Sequence, residues 1–222
     1  MLEACALAAA RQGVGVGLVV AANRDRGPQA ARAVAGVAAA RSEQGVTGFD
    51  LDGDESAHPA AQFAAAFAVA REAGLQSVPH AGELAGPASV ADALELLHAD
   101  RIVHGVRAVE DPALVALLAE RGVCLDVCPT SNVMLSVTPS LDRHPLPLLL
   151  AAGVACSINA DDPPLFDTSI LDEYELCRDE LGLSDRQLAD VARASLRASA
   201  APEALVRSAL AAVDAGLARP SA

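Results

Sequence analysis

The chain has 222 residues, 52% of them hydrophobic and 2% aromatic, so it is long enough to bury one core, and that core must be built from Ala, Val, Leu and Ile. Its formal net charge is −13, with 29 acidic residues against 16 basic ones, all arginine. A surface this acidic repels phosphate backbones and anionic lipid, which argues against nucleic acid and membranes as partners and in favour of a neutral or cationic small molecule.

Residues 1–10 read as an Ala-rich helix: Glu3 interrupts the apolar run, no basic lead precedes it and Arg11 follows, so it is not a signal peptide. Strand-like and helix-like segments then alternate. Residues 14–20 form an apolar β-branched run, and residues 28–41 an Ala-rich helix. Residues 46–51 predict a second strand, and 59–74 a helix stopped by glycine. Residues 76–80 predict a third strand and 88–98 a helix. A fourth strand falls at 101–104, followed by a helix at 111–122 with an Asp-Pro start and a Gly stop. A fifth strand at 123–128, a short helix at 145–153 and a sixth strand at 154–159 complete the alternation. Only helices follow, at 169–181, 184–199 and 202–217, with Ser184 as an N-cap. No run reaches the length of a membrane span.

This alternation implies parallel βαβ units, either a doubly wound open sheet or a (β/α)₈ barrel. The strand ends favour the barrel. Chemically able residues follow five successive strands, and a barrel brings all such ends to one mouth. No glycine-rich dinucleotide fingerprint follows the first strand. The expected fold is therefore one α/β domain spanning residues 1–222, an incomplete (β/α)₈ barrel with about six of eight strands and a helical C-terminal end. Five cysteines, at 5, 124, 128, 156 and 177, fit neither a disulfide framework nor a CxxC metal site. They read as reduced, buried thiols of a cytoplasmic protein.

His80, His104 and Asp161 come from three different strand ends and offer the imidazole and carboxylate donors that a catalytic zinc uses while keeping one position open for water. Gly82 permits a turn that lets Glu83 curl back over the mouth, where a carboxyl can transfer protons. Asp161 and Asp162 are adjacent, so their side chains diverge, one toward a metal and the other toward a ligand. Gly53 lets a ligand approach the backbone. Each piece also has a plain structural reading: a hydrogen-bonded histidine, a surface acid, an acidic N-cap before Pro163, a solvated turn at Asp52-Gly53-Asp54. Their fall at consecutive strand ends is what favours chemistry. His58, His98 and His144 flank helix ends and read as structural.

The segments Gly48-Phe49-Asp50-Leu51-Asp52-Gly53-Asp54-Glu55, His80-Ala81-Gly82-Glu83, Arg101-Ile102-Val103-His104-Gly105, Cys128-Pro129-Thr130-Ser131-Asn132-Val133 and Ser157-Ile158-Asn159-Ala160-Asp161-Asp162-Pro163 resemble, in order and spacing, the motifs of the adenosine deaminase family. That resemblance implies a barrel with one zinc at its mouth, held in part by His80 and Asp161. It implies that Glu83 protonates purine N1, that His104 orients the attacking hydroxide, that Asp162 bonds N7 and that the Gly53 backbone meets N3. The reaction implied is hydrolysis of adenosine or deoxyadenosine to the 6-oxo product plus ammonia, with adenine or a modified adenine nucleoside as the alternative substrate.

The family's H-x-H zinc pair has no counterpart in this sequence. Aligning the motifs makes residues 14–20 the third barrel strand, so the resemblance implies an N-terminally truncated barrel with only two zinc ligands of its own and weak or no activity. Open edges at 14–20 and 154–159 would then invite homo-oligomer formation. From another class, the alternative is an inactive barrel fragment serving as an interaction module.

Overall fold

The computed structural model describes residues 2–218; Met1 and residues 219–222, which the sequence reading includes in its single domain, lie outside the described residues. Helix α1 (Leu2–Gln12) leads into strand β1 (Leu18–Asn23), and the alternation continues through α2 (Gly27–Ala39), β2 (Val46–Asp52), α3 (Ala64–Glu72), β3 (Gln76–Ser77), β4 (His80–Ala81), α4 (Pro87–Leu96), β5 (Arg101–His104), α5 (Pro112–Arg121) and β6 (Cys124–Val127). Helices α6 (Pro129–Met134) and α7 (Leu146–Ala151) precede β7 (Cys156–Ile158). Helices α8 (Pro163–Phe166), α9 (Ile170–Asp179), α10 (Asp185–Ala198) and α11 (Glu203–Leu217) close the described chain.

All strand pairs are parallel, in the orders β1-β2-β3 and β4-β5-β6-β7. The two ladders are one arc. β3 and β4 are halves of the strand predicted at 76–80, split because Pro79 has no N–H to give and the His80 N–H turns aside to the Asp50 carboxylate, 3.1 Å away. Val78 N still bonds Phe49 O at 2.9 Å, and Pro79 O still accepts from Val103 N at 3.0 Å, so the strand bridges both neighbours. The result is a partial (β/α) barrel of six parallel strand positions with helices outside.

Two packed clusters stand behind the arc. Phe49, Phe63 and Phe67 interlock with the alanines of α2 and α3, and the Phe49 and Phe67 rings meet edge-on with centroids 4.9 Å apart. The larger cluster joins Ile102, Leu118, Leu125, Leu146, Leu149 and Ile158 beneath α4, α5, α7, α9 and α10. Ser184 caps α10 in a capping box with Gln187, as its sequence position predicts. No helix among the described residues is long and apolar enough to cross a membrane.

Three expectations need correction. The first strand begins at Leu18 rather than at residue 14, because pairing with Val46 starts there and Val14 and Val16 stand 56% and 48% exposed before it. Residues 129–134 form a helix where no element was expected between the strand at 123–128 and the helix at 145–153, with Pro129 at the first turn supplying the preset φ. The two expected open edges are unequal: all three β7 residues are buried beneath α9 and α10, whereas β1 leaves Val19 43% exposed.

Candidate active site

The C-terminal ends of β2, β4, β5 and β7 carry Gly53, His80 with Glu83, His104, and Asp161 with Asp162. At the centre, His104 is 1% exposed, and its Nε2 lies 3.4 Å from Glu83 Oε1 and 3.9 Å from Asp161 Oδ2. The His80 and His104 rings face one another with centroids 5.1 Å apart. Four of the six residues singled out from the sequence are therefore brought together; Gly53 and Asp162 stand on the flanks of the same rim. Asp162 precedes α8, but its side chain makes no capping bond, which leaves it available to a ligand. Gly53 has φ +100°, and a Cβ there would sit 3.4 Å from the Arg24 backbone nitrogen, so the turn needs glycine.

His104 and Asp161 both occupy the left-handed region, at φ 63° and 54°. Side-chain-bearing residues are strained there, and such strain concentrates at functional sites. Burial and the neighbouring His80 push the His104 imidazole down to about 3, so it is neutral. Burial likewise lifts Glu83 to about 7, against the opposing pull of His80, so near neutrality a proton is held on a carboxyl that faces His104. Burial also works against the charged form of His80, but the Asp50 carboxylate outweighs it and raises the group to about 9. His80 Nδ1 donates to Asp50 Oδ1 at 2.9 Å, so Nε2, which holds the second proton while the ring is charged, is the nitrogen that would give up a proton to take a metal.

Several residues that carry no obvious signal in the sequence hold this constellation. The buried Glu55 carboxylate accepts from three consecutive backbone amides, Gly82 N at 2.7 Å, Glu83 N at 3.0 Å and Leu84 N at 2.8 Å, and from the Ser89 hydroxyl. It fixes the turn from which Glu83 projects. Arg24, fully buried, donates to the backbone oxygens of His58 at 2.8 Å and His80 at 2.7 Å. The signal for Glu55 lay in its place behind Asp52-Gly53-Asp54; the bonds of Arg24, 34 and 56 residues away, left none. His144 does precede a helix, as expected, but it is also 4% exposed and reaches Asn132 beside His104, so the purely structural reading of it is incomplete.

Among the described residues, His104, Cys128 and Asp161 have donor atoms within 4.8 Å of one another. Cys128 therefore lies closer to the chemistry than a plain core thiol. Burial and nearby carboxylates hold that thiol well above its ordinary value, however, which keeps it protonated and a poor ligand. His80, with its far nitrogen pinned by a carboxylate, and Asp161, whose Oδ2 accepts from Ser131 Oγ at 2.7 Å, form the oriented nitrogen and oxygen donors that suit a zinc-type ion.

Known proteins share this frame. The adenosine deaminase family profile matches residues 1–215. A candidate adenosine/adenine deaminase of Streptomyces coelicolor is 50% identical over 202 residues, covering 91% of this chain and 59% of that protein. The crystal structure of an adenine deaminase from Arthrobacter aurescens superposes with a TM-score of 0.91 at 35% identity, over 97% of this chain and 66% of that one. A Burkholderia ambifaria amidohydrolase with bound zinc gives 0.87 at 29% identity, over 94% and 58%. The chain thus spans less than two thirds of the length of that Streptomyces relative. A profile match over nearly the whole sequence, joined to a relative identical at half its aligned positions, means that this chain belongs to the adenosine deaminase family.

Proposed function

We propose that this protein removes the 6-amino group of adenine-type purines by hydrolysis, acting on free adenine ahead of adenosine. The observation that carries the reading is Glu83, raised to about 7 and set 3.4 Å from His104 at a rim shared with Asp161. A carboxyl that keeps its proton near neutrality is the acid a purine ring nitrogen needs. The solved Arthrobacter aurescens adenine deaminase, with the TM-score of 0.91, favours the free base over the nucleoside.

His80 Nε2 and Asp161 fit as two ligands of a zinc ion, which is the part of the set this sequence supplies, since the family's H-x-H pair has no counterpart in it; the zinc-bearing Burkholderia ambifaria neighbour supports that choice of metal. When bound, such an ion acidifies water so that hydroxide is available near pH ~7. The remaining work falls to side chains of this chain. The Gly53 amide donates to N3 and the Asp162 carboxyl bonds N7, which orients the ring. His104 directs the attacking oxygen at C6. Glu83 gives its proton to N1, so the ring accepts the electron pair displaced by attack. The C6 hydroxyl proton passes to the amino group, ammonia leaves C6 and the 6-oxopurine remains, while the proton released when water yields hydroxide returns to Glu83. One water enters for each ammonia released.

The test is ammonia release and 6-oxopurine formation from adenine, adenosine and deoxyadenosine by the purified, zinc-supplemented protein. Adenine should turn over fastest. Faster turnover of adenosine would overturn the substrate assignment, and no product from any of the three in zinc-loaded protein would overturn the activity. The half-exposed edge of β1 supports a second property, self-association in the cytoplasm, which sedimentation velocity would read as a species heavier than one chain.

A further inference from the structure

Behind His104 runs a buried polar chain that ends on the backbone. Asn132 Nδ2 lies 3.2 Å from His104 Nδ1, Asn132 Oδ1 lies 3.3 Å from His144 Nε2, and the Leu146 backbone N–H donates to His144 Nδ1 at 3.1 Å. The three side chains are 1%, 0% and 4% exposed for His104, Asn132 and His144, so water does not stand in for a missing partner. The last bond fixes the sense of all the others. A backbone amide can only donate, so Nδ1 of His144 accepts and carries no proton. Burial holds His144 down to about 4, so the ring is neutral and its single proton sits on Nε2. That proton points at Asn132 and requires the amide oxygen there. Turning the Asn132 amide over would set its NH₂ against the proton-bearing Nε2 of His144, so the orientation follows from the chemistry rather than from a choice of atom labels. With its oxygen on His144, Asn132 presents its NH₂ to His104, and Nδ1 of His104 must accept. Because Nδ1 accepts, it carries no proton, and the one ring proton of His104 is placed on Nε2, the atom that faces Glu83 and Asp161.

We infer that Asn132 and His144 are positioning residues that lock His104 as its Nε2–H tautomer, making it a hydrogen-bond donor toward the site and unable to take a proton from the attacking water. A donor aimed at that oxygen orients it and stabilises the negative charge it carries into the attack. The general-base role is then closed to His104. Its catalytic consequence rests on the deaminase reading above, but the tautomer does not.

The experiment is ¹⁵N–¹H correlation across two and three bonds in the full chain labelled at its five histidines, which separates protonated from unprotonated ring nitrogens. His104 should show an unprotonated Nδ1 and a protonated Nε2, and His144 the same pattern. Asn132→Asp keeps the shape but replaces the donor by an acceptor, so a proton should appear on His104 Nδ1. His144→Phe frees the amide to turn, and His104 should then populate both tautomers. In the ammonia assay Asn132→Asp should lower kcat by about 10- to 100-fold with KM little changed, in line with other outer partners of active-site imidazoles. A proton on His104 Nδ1 in the unsubstituted protein overturns the inference. So does Asn132→Asp that folds and leaves the His104 spectrum as it was. If neither variant folds, the spectrum of the unsubstituted chain decides alone, and a protein that shows the expected tautomer but releases no ammonia counts against the deaminase reading only.

Discussion

The half of the arc built on β1 and β2 and the half built on β4 to β7 divide the site between them in opposite ways. The second half carries the reacting groups, and several of its polar side chains pair within it: Arg101 and Ser157 on Asp126, and Asn132 and His144 behind His104. The first half supplies no reacting group in the scheme above. Its buried polar residues reach across instead: Arg24 to His80 O, Asp50 to the backbone and ring of His80, Glu55 to the amides of residues 82–84. Arg24 Nε and Asp52 Oδ1 in this half, and Thr138 Oγ1 in the other, remain buried with no partner among the described residues. One half holds and the other reacts, so substitutions should separate stability from turnover along that line.

The sharpest test is Glu83→Gln. A general acid contributes typically about 10²- to 10⁴-fold, so ammonia release should fall by about that factor. Stability should not suffer, because a neutral amide replaces a carboxyl whose charge burial already opposes; a urea midpoint well below that of the parent would blur the division. Next in size is Arg24→Met, which leaves two buried carbonyls without donors and the acids around them without their cation. The expected loss is about 3 kcal/mol in urea unfolding, and a loss below about 1 kcal/mol would mean that this half does not hold the other. Glu55→Gln keeps one acceptor oxygen for three amides. A loss of about 2 kcal/mol is expected, and hydrogen exchange should quicken at Glu83 and Leu84 while the amides of β6 keep their protection. The smallest effect is a titration. Glu83 loses its proton as pH rises through about 7, so turnover should decline on the alkaline side of that value. The linked stability has the same sign: a carboxyl whose folded value lies above its ordinary 4.5 contributes most below about 4.5, and that contribution is gone once pH has passed about 7. Glu83→Gln should flatten both curves.

What was legible in the sequence was local. Apolar runs that end in His80, His104 and Asp161 mark the strands and the rim at once, because side-chain alternation and the polar strand end are written in neighbouring residues. The break at Pro79 was legible too, since proline cannot donate to a ladder, yet residues 76–80 read as one strand because the run is otherwise continuous. The start of β1 was misplaced because Val14 and Val16 look like a strand until the partner is known. His144 and Asn132 stand 12 residues apart and meet only after α6 and the following turn fold back; no periodicity announces such a contact. Glu55 lay inside a recognised segment, but its role depends on three amides 27 to 29 residues away.

A sheet that parts at position 79 has a seam. Along it, few backbone bonds resist a small slip of one half past the other, and the task of keeping them in register passes to the three ionisable side chains that cross, Arg24, Asp50 and Glu55. Alignment of His80 and Glu83 with the rest of the rim therefore depends on charged side chains as well as on strand geometry, a dependence that an unbroken ladder would not have.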